Sequence, residues 1–129
     1  MAYAPRILVV DDEPTVRRLF ETVLSRDGYY VAVAGTGNQA MLQLRVTAFD
    51  VIVLDISLPD EDGLQLLIQI RSEFPSARVL AVSGFMGSLL HAMAIDAGAD
   101  AAVAKPMTAR NLQDAVYRLI DPSCSWQVK

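Results

Sequence analysis

The sequence predicts an α/β fold, a doubly wound parallel sheet of five strands with five helices on its two faces. Short apolar runs recur along the chain, and segments with helical spacing alternate with them. The 129 residues, 53% of them hydrophobic, are enough for one domain whose sheet is covered on both sides. Right-handed crossovers between successive strands then give the doubly wound arrangement.

The first strand and helix are the most clearly marked. The run Ile7–Val10 has the composition of a strand that is buried on both faces. Pro14 suits the first turn of a helix, and Gly28 suits the end of one. The interval between them carries one apolar stripe with helical spacing, formed by Val16, Leu19, Phe20, Val23 and Leu24.

The second strand is predicted at Tyr30–Ala34, again from a continuous apolar run. Thr36 and Gln39 have the spacing of a capping box and predict the start of the second helix. The glycines at 35 and 37 lack the spacing of a nucleotide-binding loop, so we interpret this segment as a turn with a helix cap.

The third and fourth strands are predicted at Val51–Leu54 and Val79–Val82, with a helix between them. A fourth helix is placed loosely between Gly87 and Ala97, and Gly98 suits its end. Its apolar residues are Leu89, Leu90, Met93 and Ala94.

The fifth strand is the alanine-rich run Ala101–Ala104, which is the weakest of the strand signals. The fifth helix follows from a stripe formed by Leu112, Ala115, Val116, Leu119 and Ile120. We expect residues 1–129 to form a single domain, with a core at about 6–120 and a short tail at 121–129.

Composition excludes several classes of function. With 15 acidic and 11 basic residues the net charge is -4, which provides no basic surface for direct nucleic-acid binding. No apolar stretch approaches the roughly 18 residues of a membrane helix, so no membrane partner is expected. The single cysteine, Cys124, cannot form an internal disulfide and is typical of a reduced, cytoplasmic protein.

Polar residues stand where the predicted strands end. Asp11 and Asp12 follow the first strand, Asp55 the third, Ser83 the fourth and Lys105 the fifth. In sheets of this kind, ligands bind outside the carboxyl ends of the strands. We therefore expect these five residues to meet in one crevice.

Three neighbouring carboxylates repel one another, by roughly 4 kcal/mol per pair at 4 Å and an effective dielectric near 20, and therefore favour a bound cation. Oxygen ligands favour Mg2+ over zinc, since His91 and Cys124 lie elsewhere in the chain. A carboxylate can then act as nucleophile toward phosphorus while Lys105 and Ser83 hold the phosphoryl oxygens. This pattern indicates an aspartyl-phosphate site.

The chain strongly resembles the receiver domain of two-component response regulators from about Arg6 to Ile120. The resemblance is carried by Asp11-Asp12-Glu13-Pro14, Asp55-Ile56-Ser57-Leu58-Pro59, Asp62-Gly63, Ser83-Gly84 and Lys105-Pro106. It implies the flavodoxin-like strand order 2-1-3-4-5. It also implies that Asp55 is the phosphoacceptor, that Asp11, Asp12, Asp55 and the backbone carbonyl of Ser57 bind Mg2+, that Ser83 is the switch hydroxyl, and that Lys105 pairs with the phosphate.

One position departs from the family. Receiver domains commonly carry a Tyr or Phe three residues before the lysine, and here that position is Ala102. We hypothesise that Phe85 and Met86, directly after the switch serine, transmit the displacement instead. On this hypothesis Phe85→Ala abolishes the phosphorylation dependence of partner binding, and unchanged phosphorylation-dependent binding in a pull-down would exclude it.

The resemblance implies a signalling module that takes a phosphoryl group from phosphohistidine on a histidine kinase or phosphotransfer protein. The face formed by the fourth helix, fifth strand and fifth helix would then meet an output domain or protein. One alternative is a receiver-like interaction module that needs no phosphate. Another is a phosphatase of the haloacid-dehalogenase type, but Ser57 stands where that class has a second aspartate. We therefore expect no enzyme activity beyond the chain's own phosphorylation and dephosphorylation.

Overall fold

The computed structural model describes residues 4–57, 62–84 and 88–121, and the predicted alternation of strands and helices is confirmed. The strands are β1 (Arg6–Val10), β2 (Tyr30–Ala34), β3 (Val51–Asp55), β4 (Arg78–Ser83) and β5 (Ala101–Ala104). The helices are α1 (Pro14–Arg26), α2 (Gly37–Val46), α3 (Gly63–Glu73), α4 (Ser88–Asp96) and α5 (Ala109–Ile120). In these described ranges, no helix combines the length and the apolar content that a membrane span requires.

The five strands form one parallel sheet in the order β2-β1-β3-β4-β5, so the predicted strand order is also confirmed. Helices α1 and α5 cover one face, where Phe20, Leu24, Leu112 and Val116 pack against the sheet. Helices α2, α3 and α4 cover the other face. The central strand β3 is buried along its whole length, and it delivers Asp55 to the edge of the sheet.

The two outer strands differ from the prediction that every strand is covered on both faces. In β2 only Ala34 is fully buried, and no residue of β5 is. An outer strand has a neighbouring strand on one side only, so its side chains are less completely enclosed than those of β1, β3 and β4. Continuous apolar runs therefore overstated the burial of β2 and β5.

The predicted helix ends are confirmed, with one change in detail. Pro14 opens α1, and Thr36 Oγ1 accepts a hydrogen bond of 3.1 Å from the amide of Gln39. The side chain of Gln39, however, accepts from the amide of Gly35 at 2.8 Å instead of closing the box on Thr36. Gly28 follows α1 with a positive φ of 92°.

Helix α4 lies inside the range that was loosely predicted for it. Among its described side chains Ala94 is buried, whereas Leu89 and Met93 are 74% and 44% exposed. Gly87 lies outside the described residues. The helix therefore packs against the core through Ala94 and the partly buried Leu90, and leaves its other large apolar side chains at the surface.

The connection from β3 to α3 brings the start of the helix against the end of the strand. A Cβ on Gly63 would lie 2.0 Å from the backbone oxygen of Ile56, which no side chain can tolerate. Asp62 caps the helix by accepting from the amides of Leu64 and Gln65. Glycine at position 63 thus permits the close approach directly after Asp55.

Candidate functional site

Three carboxylates meet at the carboxyl ends of β1 and β3. Oxygen atoms of Asp11, Asp12 and Asp55 all lie within 4.8 Å of one another. Asp11 and Asp55 are 2% and 3% exposed, and Asp12 is the more exposed member. Three oxygen donors at this spacing, two of them buried, are a donor set that suits a hard divalent cation.

Lys105 directly follows β5 and reaches this cluster with its side chain. The peptide bond between Lys105 and Pro106 is cis. Its Nζ donates to Asp11 Oδ2 at 2.8 Å and to Asp55 Oδ2 at 3.0 Å. Glu13, a more exposed acid, lies 3.8 Å from the same Nζ. The lysine thus bridges the two buried carboxylates and places a positive charge beside both.

Asp55 is further held by the residue two positions along the chain. The backbone amide of Ser57 donates to Asp55 Oδ1 at 2.8 Å, and the Ser57 hydroxyl donates to the same oxygen at 2.6 Å. Asp11 is held in a similar way, because the amide of Glu13 donates to its Oδ1 at 2.9 Å. These bonds fix the direction in which each carboxylate faces the crevice.

The electrostatics of the site follow from burial and from the shared ammonium group. Burial raises the pKa of Asp11 above its ordinary value, and this outweighs the lowering caused by its hydrogen bond from Lys105. For Lys105 burial lowers the pKa, but the hydrogen bonds to Asp11 and Asp55 raise it more, so the net shift is upward. Lys105 is therefore charged at neutral pH.

Ser83 and Gly84 complete the rim of the crevice at the end of β4. Ser83 is 1% exposed, and its backbone oxygen accepts a 2.8 Å hydrogen bond from the amide of Lys105. Gly84 is exposed, and a Cβ built there meets no atom within 4 Å. The end of β4 is thereby tied to the residue that carries the ammonium group, while the approach beside Gly84 stays open.

Of the three switch candidates, only Ala102 is among the described residues. Phe85 and Met86 lie outside them. Ala102 is half-buried in β5 and lines a groove of about 460 Å³ between α4 and α5. His91, an exposed residue of α4, lines the same groove and not the acidic crevice.

Two contributions to the site were missed by sequence reasoning. The sequence assigned Ser57 a ligand role through its backbone carbonyl and treated its side chain only as the absence of a second acid, whereas its hydroxyl donates to the proposed nucleophile. Glu13 was treated as part of a motif and given no role, although it lies within ion-pair distance of Lys105. A serine or glutamate near a strand end is too common for either contact to be read from the sequence.

Comparison with protein families gives a match over most of the chain. Residues 7–117 match the model of the response regulator receiver domain. The transcriptional regulatory protein AruR of Pseudomonas aeruginosa is 35% identical over 127 residues, which cover 93% of this chain and 51% of AruR. The alginate biosynthesis transcriptional regulatory protein AlgB of Pseudomonas putida is 35% identical over 116 residues, which cover 90% of this chain and 26% of AlgB.

Solved structures agree with the family match. A CheY-like response regulator receiver domain protein from Methanospirillum hungatei superposes with a TM-score of 0.87 at 28% identity, covering 92% of this chain and 95% of that one. The chain thus has the length of a receiver structure but spans about half of AruR and about a quarter of AlgB.

Proposed function

Because the chain belongs to the response regulator receiver domains, we propose that it is the phosphoacceptor module of a two-component signalling system. On this proposal, a phosphoryl group passes from phosphohistidine on a histidine kinase or phosphotransfer protein to Asp55. The observation that carries the proposal is the contact of Lys105 with Asp11 and Asp55, beside a cluster of three carboxylates.

The residues at the crevice fit Mg2+. Carboxylate oxygens of Asp11, Asp12 and Asp55 provide hard donors within 4.8 Å of one another, and the backbone carbonyl of Ser57 is a proposed fourth donor. When bound, the ion neutralises charge on the phosphoryl oxygens and on the carboxylates that face them. A site without nitrogen or sulfur donors gives no preference for zinc.

Asp55 acts in this proposal as the nucleophile. One carboxylate oxygen forms a bond to phosphorus while the bond from phosphorus to the donor imidazole nitrogen breaks, and the electron pair stays on that nitrogen. The amide and hydroxyl of Ser57 hold Asp55 in one orientation, which reduces the entropy cost of in-line attack. Lys105 pairs with the phosphoryl oxygens as a fixed positive charge.

Ser83 links the chemistry to the rest of the chain. We propose that its hydroxyl is drawn toward the phosphoryl group, together with the loop that follows β4. The amide of Lys105 donates to the backbone oxygen of Ser83, and this hydrogen bond supports a joint displacement of the ends of β4 and β5. The face of α4, β5 and α5 then becomes the surface for an output domain or protein.

Two alternatives are less well supported. A phosphatase would need a general acid two residues after Asp55, and the residue there is Ser57, whose hydroxyl donates to the nucleophile. An interaction module without phosphorylation would not need two buried carboxylates, Asp11 and Asp55, to share a partly buried Lys105. We therefore propose a cytoplasmic signalling module that is modified, and not an enzyme with turnover.

The proposed chemistry is tested by intact-mass analysis after incubation with acetyl phosphate. We expect a gain of one phosphoryl group in Mg2+ and none in EDTA. Asp55→Asn should abolish the gain, whereas Asp96→Asn, an exposed acid of α4, should leave it unchanged. Equal incorporation in EDTA, or incorporation into Asp55→Asn, would contradict the proposal.

A further inference from the structure

The side chain of Arg17 folds back from α1 over the loop that follows β1. Its Nη1 donates a hydrogen bond of 2.8 Å to the backbone oxygen of Asp11. That oxygen belongs to the peptide group that joins Asp11 to Asp12. The guanidinium therefore holds the plane of the peptide between two of the three clustered acids.

This contact matters more for Asp12 than for Asp11. Asp11 has other restraints, since its amide donates to the oxygen of Ala34 at 3.1 Å and its carboxylate is bonded to Glu13 and Lys105. Within the described residues, the Asp12 side chain forms no hydrogen bond or ion pair. Its direction depends on the backbone, and hence on the peptide that Arg17 holds.

Gly35 provides the space for this arrangement. A Cβ at position 35 would lie 3.0 Å from Arg17 Nη1 and 3.5 Å from its Cζ. The backbone of Gly35 is not in the left-handed region, so its conformation alone does not require glycine. The absence of a side chain instead leaves room for the guanidinium beside the β2–α2 loop.

From these contacts we infer that Arg17 is a positioning residue for the cation site, acting through the peptide between Asp11 and Asp12; this rests on the proposed function. Mg2+ demands near-ideal octahedral geometry, so a small rotation of Asp12 is costly for binding. As a positive charge, Arg17 opposes cation binding. A loss of affinity on its removal would therefore report position and not charge.

The test is calorimetric titration of Mg2+ into the unphosphorylated full chain. We expect Arg17→Gln to weaken Mg2+ binding by about tenfold, the size usual for groups that orient metal ligands. Arg17→Lys should recover part of the affinity, and Gly35→Ala should weaken it in the same direction by displacing the guanidinium. Arg18→Gln removes the same charge from an exposed neighbour and should leave the affinity equal or slightly higher.

The inference is overturned if Arg17→Gln binds Mg2+ at least as tightly as Arg18→Gln. Thermal unfolding of each variant separates this result from loss of the fold. If Arg17→Gln does not fold, the inference is overturned when both Arg17→Lys and Gly35→Ala bind Mg2+ as tightly as the wild-type protein. Wild-type protein that binds no Mg2+ would instead contradict the proposed function itself.

Discussion

Lys105→Met is expected to slow phosphorylation of Asp55 by about 10² to 10³-fold while making Mg2+ binding tighter. The rate falls because the ammonium lies 2.8 Å from Asp11 and 3.0 Å from Asp55, where charge on the transferred group must be neutralised. Loss of one fixed donor of this kind commonly costs that factor in rate.

The affinity changes in the opposite direction because Lys105 and the metal compete for the same carboxylates. Among the described residues, Lys105 is the only cation in an ion pair with Asp11 or Asp55. Its removal leaves two buried acids without a counterion, which raises their attraction for a divalent ion. The repulsion between the Lys105 ammonium and a metal ion in the same site is about 1 kcal/mol or more. Removing the ammonium is therefore expected to raise the Mg2+ affinity by roughly fivefold.

The two effects are separated by measuring phosphorylation with acetyl phosphate at saturating Mg2+ and affinity by calorimetry. Arg110→Met, an exposed residue of α5, is the control for loss of one positive charge. If Lys105→Met bound Mg2+ more weakly and reacted at the wild-type rate, Lys105 would be a structural residue and not part of the phosphoryl site.

The fold and the centre of the site could be predicted because both depend on strand order. Lys105 and Asp11 are 94 positions apart, yet each directly follows a strand of one parallel sheet, so their side chains meet at one edge. The apolar runs and the residues after them were enough to place Asp55 there as well.

The contacts of long polar side chains could not be predicted in the same way. Arg17 bonds a backbone oxygen, and the side chain of Gln39 bonds the amide of Gly35 and not that of Thr36. Such bonds depend on the local path of the backbone, and they leave no periodic signal in the sequence. For the same reason the hydroxyl of Ser57 was overlooked. The roles of Phe85 and Met86 stay predictions.

Arg71 is another residue whose contacts leave no signal in the sequence, and its loss is expected to lower the stability of the fold substantially. Its Nε donates to the oxygen of Gly98 at 3.0 Å, and its Nη1 donates to the oxygens of Pro75 and Ala77 at 3.0 and 2.7 Å. Its Nη2 forms an ion pair with Asp100. One side chain therefore joins α3, the turn before β4 and the turn before β5.

Arg71→Met should lower the free energy of unfolding by about 3 kcal/mol. The change leaves the partly buried Asp100 without its closest partner and removes hydrogen bonds from three carbonyl groups. This loss of unfolding free energy is smaller than for a fully buried ion pair, because the Arg71 and Asp100 side chains are 25% and 24% exposed. Arg71→Lys should recover little, since an ammonium lacks the planar fork that reaches all these acceptors.

Urea unfolding followed by circular dichroism measures this effect, with Arg45→Met as the control. Arg45 forms an exposed pair with Glu73, so its loss should cost no more than about 0.5 kcal/mol. Because Arg71 acts near the start of β4 and β5, away from Asp55, Arg71→Met should leave the Mg2+ affinity of the folded protein unchanged. Equal unfolding free energies for the Arg71 and Arg45 variants would show that the Arg71 contacts contribute nothing measurable. A Mg2+ affinity that fell with stability would mean that the two ends of the sheet are coupled, contrary to this expectation.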